Sequence, residues 1–448
     1  MSDRCLRIRL AGLVAAGLAL GVSGCDTLDT MFEDREVRLP GDRVSVLAFE
    51  NKLQPDPDLA ATPVVLPAPV ANSEWTQPGG EADNALPHLS APGSFGQVWS
   101  ISAGAGSTRT ARITSGPIIA NGTIYLIDAK ASVQAIDAAT GAPRWTVSLV
   151  PGDADAEKGF GGGVAFDNGR LFVTSGFGFT VALDPATGAE IWRHTVPVPV
   201  RTPPAAVNGK VYIVTQTNQF FALSQADGSR VWDYEAVSET AGVLSSTTPA
   251  VAGELVVAGF TSGELFAFAA GTGRVFWDDT LTRTRVLTPI AALNDIAGSP
   301  VIDRGFVFAI SHSGRLAAID LRTGQRVWET ELAGTQTPWP AGDQLYVVTL
   351  DARLICFNRT DGRVRWVTQL ERYGDPEDRE DPIYWSGPVL VSGRLAIVSS
   401  TGLGQLVSPE TGELLGQFAV PEGVFQSPIV ANETMYVLSD DAELVALR

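Results

Sequence analysis

Ala182-Leu183-Asp184-Pro185-Ala186-Thr187-Gly188, followed four residues on by Trp192, is the stretch that decides how this chain folds. An apolar pair runs into a turn. The Asp side chain is suited to accept from the backbone two residues on, and the Gly supplies the positive φ of a tight hairpin. The Trp then falls on the strand leaving the turn. The same phrase stands at Ala135-Ile136-Asp137-Ala138-Ala139-Thr140-Gly141 with Trp145. Further copies centre on Gly228 with Trp232, Gly273 with Trp277, Gly324 with Trp328, and Gly362 with Trp366. A seventh, Ser408-Pro409-Glu410-Thr411-Gly412, has Gly416 in the Trp position, and an eighth opens as Leu444-Val445-Ala446-Leu447-Arg448. Ser224, Ala269, Asn358 and Ser408 replace the Asp, so the turn tolerates loss of that cap.

A second phrase precedes each turn: a small residue or Pro, a few apolar residues, a turn, then a strand. Ser115-Gly116-Pro117 stands before Ile124-Tyr125-Leu126, and Pro204 before Val211-Tyr212-Ile213-Val214. Ser299-Pro300, Ser386-Gly387-Pro388 and Ser427-Pro428 open later units. Successive turn glycines lie 38 to 51 residues apart, the length of a four-stranded propeller blade. Leu345-Tyr346-Val347-Val348 is continuously apolar, as expected of a strand buried on both faces. The last unit lacks its final strand, while Gly96-Gln97-Val98-Trp99-Ser100-Ile101 carries a Trp with no turn before it. That strand is expected to complete the eighth blade, which closes the ring and removes an exposed sheet edge. Residues 95–448 are therefore expected to be all-β, an eight-bladed β-propeller with four-stranded blades. Seven of the ten tryptophans occupy the repeat position, which marks them as rings docking blade against blade rather than a ligand site.

Residues 25–94 read differently. Prolines at 55, 57, 63, 67 and 69 predict an extended, poorly packed tether. Within it, Asp42-Arg43-Val44-Ser45-Val46-Leu47 alternates like a short strand. Residues 1–24 have the form of a signal peptide: Arg4, Arg7 and Arg9 precede an apolar run over 10–22, too short to span a bilayer. The run ends in Val22-Ser23-Gly24-Cys25, which resembles the lipobox of bacterial lipoproteins. That likeness implies lipidation, palmitate included, at Cys25, and two or more acyl chains anchor stably. Cys5 leaves with the signal, so Cys356, inside Leu354-Ile355-Cys356-Phe357, is expected to be a buried thiol without a disulfide partner.

Little else points to chemistry. The net charge of -18 argues against nucleic acid or an anionic membrane surface as partner. His88, His194 and His312 show no metal-ligand spacing. Gly159-Phe160-Gly161-Gly162-Gly163 lacks the Lys-Ser/Thr of a phosphate loop and reads as a loop ahead of a strand. The acidic run 371–381 reads as a solvated loop, with docking of a basic partner as the second reading. No catalytic residue, metal or cofactor is expected.

The repeat phrase resembles the tryptophan-docking repeat of pyrroloquinoline quinone dehydrogenases and of cofactor-free propellers, above all the BamB family. The likeness covers about residues 75–448, and Trp75-Thr76-Gln77-Pro78-Gly79-Gly80 resembles the segment preceding the first strand in that superfamily. A quinone dehydrogenase needs a general base, oxygen ligands for Ca²⁺ and a cofactor clamp. This chain has neither a Cys-Cys pair nor Cys-x-x-Cys-His. Signal, lipobox, tether and repeats together resemble the BamB family. That implies a non-catalytic scaffold of outer-membrane protein assembly, lipid-anchored to the outer membrane and facing the periplasm. Its implied partners are the POTRA domains of BamA, other subunits of the machinery and nascent outer-membrane proteins. A periplasmic quinone-dependent dehydrogenase stays as the second reading. Asp26, after Cys25, resembles the inner-membrane retention signal of enteric lipoproteins and points the other way on location.

In that family two loops contact BamA through a Leu-x-Leu-Arg group and an Asp-x-Asp group. The resemblance places Ala241, Val243 and Leu244 at the first, and Asp295 at the second, with Ala297 at its other Asp. Leu244 replaces the Arg, for which Arg283 or Arg285 is a nearby substitute. The stretch from Trp277 to Pro300 is also far longer than that from Trp192 to Pro204, and long loops on a rigid scaffold are where binding concentrates.

Overall fold

Eight four-stranded antiparallel sheets follow one another in the computed structural model, which describes residues 53–60, 62–239, 242, 247–282 and 293–448. Blades 1 to 7 are 118–148, 164–195, 205–235, 250–280, 301–330, 339–369 and 385–422. Blade 8 joins Ile429–Ala431, Thr434–Leu438 and Glu443–Leu447 to Gln97–Ser102. Trp99 pairs with Ala446 and Ser102 with Glu443, so the ring closes through the N-terminal strand as expected. Blade 3 shows the plan: Ala205–Val207, Lys210–Val214, Gln219–Ser224 and Arg230–Glu235 pair in sequence order. Its middle strands are buried on both faces, whereas the outermost strand buries Trp232 and leaves Val231 and Asp233 exposed.

The repeat tryptophans make the seams. Each of the seven rings reaches the turn glycine of the next blade: Trp192 lies so close to Gly228 that a Cβ there would stand 2.5 Å from the ring. Gly228 also has φ +72°, so the position excludes side chains both by conformation and by space. Six of the seven donate their indole N–H to a carbonyl of that turn, as Trp192 does to Gln225 at 2.9 Å. Between blades 7 and 8, where Gly416 replaces the Trp, Phe95 from ahead of the closing strand packs on Phe418 with centroids 5.2 Å apart. Cys356 is buried, and burial pushes its thiol up, away from thiolate reactivity.

The turns are capped as their sequence suggests. Asp137 accepts from the Thr140 amide at 2.9 Å and the Thr140 hydroxyl at 2.8 Å, and pairs with Arg144 at 2.8 Å. The bonds from Arg144 and Thr140 hold its carboxyl down at about 2. A carboxyl lowered in the folded state contributes fully above its unfolded value, and the contribution is lost as pH falls through the folded value. Stability is thus expected to fall between about pH 4 and pH 2. Thermal melts of Asp137→Asn should show a smaller loss across that window than the parent; an identical acid limb would remove Asp137 from the explanation.

Residues 53–94, expected to be a poorly packed tether, instead run across the ring, and Leu89, Trp75, Gln77, Asn84 and His88 are buried. The short island over 42–47 lies outside the described residues. The physical reason for the packing is a backbone problem. The innermost strand of every blade turns an unpaired edge to the channel, and buried N–H and C=O groups must find partners. The segment supplies them almost blade by blade. Trp75 exchanges two backbone bonds of 2.8 Å with Ile119 of blade 1, and Thr76 accepts from Phe166 of blade 2. Gln77 uses its amide to bond both the N–H and C=O of Ala206 in blade 3, each at 2.9 Å. Ala82 and Asp83 accept from Val251 and Ile302 of blades 4 and 5. Leu89 donates to Leu390 of blade 7, and Asn72 accepts from Asn432 of blade 8. His88 staples the turn, with Nδ1 2.7 Å from the Pro67 carbonyl and Nε2 accepting from the Gly393 amide at 2.7 Å. The segment is a plug. It closes the face of the ring that carries the Gly turns.

Candidate functional site

With that face plugged, the opposite face is the open one. It gathers the loops joining one blade to the next and the turns between second and third strands. At its centre, toward blades 6, 7 and 8, lies a cavity of about 530 Å³, within the range of ligand and side-chain sites. Its floor includes Gln336 and Ser386, and its rim includes Leu350, Tyr384 and Phe425. Gln336 accepts from the Gly387 amide at 3.3 Å and the Ser427 hydroxyl at 3.2 Å, tying two connecting loops to the first strand of blade 7. Tyr384 is 53% exposed and Phe425 40%, with ring centroids 5.7 Å apart. Beneath them Trp385 is buried and donates to the Glu371 carbonyl at 2.8 Å.

Few charges enter the cavity. Asp440 pairs with Arg112 at 3.1 Å; burial pushes its carboxyl up while Arg112 draws it down. His312 lies at the edge, and burial lowers its imidazole, leaving it neutral at pH 7. Among the described residues no group of three or more His, Cys, Asp or Glu side chains is placed to hold a metal. Among the described lining residues Asp440 is the one carboxylate, and it faces a guanidinium. This donor set does not fit the Ca²⁺-bound quinone of a dehydrogenase.

Ala241, Val243 and Leu244 lie outside the described residues, as do Arg283, Arg285 and Cys25. Asp295 is described and is 1% exposed. Its carbonyl accepts from the His312 amide at 2.8 Å, and a Cβ at Gly242 would stand 3.0 Å from its carboxylate. Ala297 is buried too. Gly242 of the first stretch and Asp295 of the second are thus brought close together, and Asp295 is buried rather than exposed. The acidic run, expected as a solvated loop, is a hairpin pairing Tyr373–Asp375 with Glu380–Pro382, and its carboxylates are largely exposed. Its base, Ile383 and Tyr384, is cavity wall. Sequence reading missed Tyr384 and Phe425. The available signal was that both are aromatic, sit in connecting loops and match neither repeated phrase.

A family model described as outer membrane protein assembly factor BamB matches residues 129–368. The protein of that name from Moranella endobia is 23% identical over 335 residues, covering 74% of this chain and 84% of its own length. Among solved structures, BamB from Moraxella catarrhalis has a TM-score of 0.66 at 22% identity, covering 79% of this chain and 100% of that one. A europium-containing methanol dehydrogenase follows at TM-score 0.65 and 17% identity, covering 82% and 89%. At such identities both structures speak to the fold alone.

Proposed function

Because this chain belongs to the family of outer membrane protein assembly factor BamB, we propose that it is a non-catalytic scaffold of outer-membrane protein assembly. In this reading it is lipid-anchored at Cys25, faces the periplasm, and helps nascent β-barrel proteins insert. The observation that carries the reading is how the ring uses its special residues. The repeat tryptophans fill seams, the buried polar side chains of the plug satisfy backbone edges, and the open face is left for partners. Among the described residues no helix is long and apolar enough to cross a membrane.

The proposed principal partner is BamA, through its POTRA domains. Its contact is assigned to the loops over 241–247 and 292–297, which join consecutive blades. Asp295 is buried, so the test leaves it in place. Val243→Glu combined with Leu244→Glu is expected to lower co-purification of BamA from solubilised envelopes at least tenfold, about 1.4 kcal/mol or more. The melting curve should not change. Undiminished recovery of BamA would move the interface elsewhere on the ring.

A further inference from the structure

The cavity rim is unusual for a surface. Among the described residues, three aromatic side chains count as exposed: Phe276, Tyr384 and Phe425. Phe276 lies on an outer strand, with the Arg274 guanidinium 5.0 Å from its ring centroid. The other two stand against each other over an opening of about 530 Å³, with exposed Leu350 on the same rim. An apolar cluster beside a cavity with a polar floor is the arrangement that receives a side chain while hydrogen-bonding the backbone around it. The net charge of the hairpin beside it is negative. Residues 371–381 hold six carboxylates, Glu371, Asp375, Glu377, Asp378, Glu380 and Asp381, against the two guanidiniums of Arg372 and Arg379. Backbone bonds at the hairpin base, such as the Ile383 amide to the Arg372 carbonyl at 2.9 Å, fix this acidic arm to the cavity wall.

We propose that this rim docks an extended, basic peptide segment of a partner protein. One aromatic or branched aliphatic side chain enters between Tyr384 and Phe425, and flanking lysine or arginine residues meet the hairpin carboxylates. Charge complementarity selects this occupant: a neutral acyl chain would gain nothing from the hairpin, and an acidic peptide would be repelled. The site uses residues other than those assigned to BamA and does not depend on that assignment.

The test uses the full-length protein in detergent and fluorescein-labelled Lys-Thr-Phe-Lys-Phe-Thr-Lys, read by anisotropy. Two controls replace every Lys by Glu or every Phe by Ala. The basic aromatic peptide is expected to bind at least tenfold more tightly than either control, and more weakly as salt rises. Tyr384→Ser with Phe425→Ser should weaken it at least tenfold. Glu377→Lys with Glu380→Lys should weaken it several-fold and flatten the salt dependence. These side chains are exposed, so the melting curve should hold, and Leu350→Ser gives an independent probe of the same rim. Equal binding of all three peptides, or parental affinity in the Tyr384/Phe425 variant, would overturn the proposal. So would binding of zwitterionic phosphatidylcholine vesicles, lost in that variant, without binding of the basic peptide.

Discussion

Trp232→Ala is expected to cost about 3–5 kcal/mol of folding stability, the range for removing a large aromatic ring from a core. The ring is 8% exposed and closes the seam between blades 3 and 4. It meets Phe220 edge-on at 5.3 Å and Phe268 at 5.9 Å, and its indole N–H donates to the Ala270 carbonyl at 3.0 Å. Tyr212 donates to the same carbonyl at 3.3 Å, so the acceptor keeps a partner and the loss is mainly packing. The neighbouring turn cannot collapse into the space, because Gly273 at φ +72° already touches the ring and is set by its own hairpin bonds. Urea unfolding, read by far-ultraviolet circular dichroism, measures the loss. A change below about 1 kcal/mol would mean that the inner strands hold the ring and the tryptophan seams do not.

The second large effect is expected in the plug. Gln77→Leu keeps most of the volume but removes three bonds: to Phe166 at 3.1 Å and the two to Ala206 at 2.9 Å. Buried backbone groups left without partners cost about 1–3 kcal/mol each. Adding Asn84→Leu removes the bonds to the Thr248 carbonyl at 3.3 Å and the Pro300 carbonyl at 2.9 Å. It also places leucine at φ +59°, where asparagine is tolerated and leucine is strained. The double variant should expose residues 53–94 to protease and speed amide exchange at Ile119, Phe166, Ala206, Val251 and Ile302. Outer strands such as Arg230–Glu235 should exchange as before. If the inner amides keep their parental protection, the plug is not what satisfies those edges.

The sequence by itself determined the ring. Blade number, the position of each Trp and the closing role of Trp99 were legible because those contacts recur with one period: a turn, a glycine, a ring four residues later. Each Trp meets a glycine one repeat onward, so a regular spacing encodes a regular seam. Only the tertiary structure decided the plug, the cavity and the place of Asp295. Gln77 meets Ala206 at a separation of 129 residues, and Asn84 meets Pro300 at 216. Most of the plug's bonds run from main chain to main chain, which any residue but proline can make from either side, so they leave no pattern among side chains. The prolines over 55–69 reported extended backbone correctly in kind, yet extension is compatible equally with a free tether and with a segment laid along seven of the eight inner strand edges. Tyr384 and Phe425 are 41 residues apart and belong to different connecting loops; they meet because the ring curves two adjacent blades toward one channel. Asp295 is buried for the same reason: a loop's length is written in the sequence, but which of its residues faces inward depends on the loops packed around it.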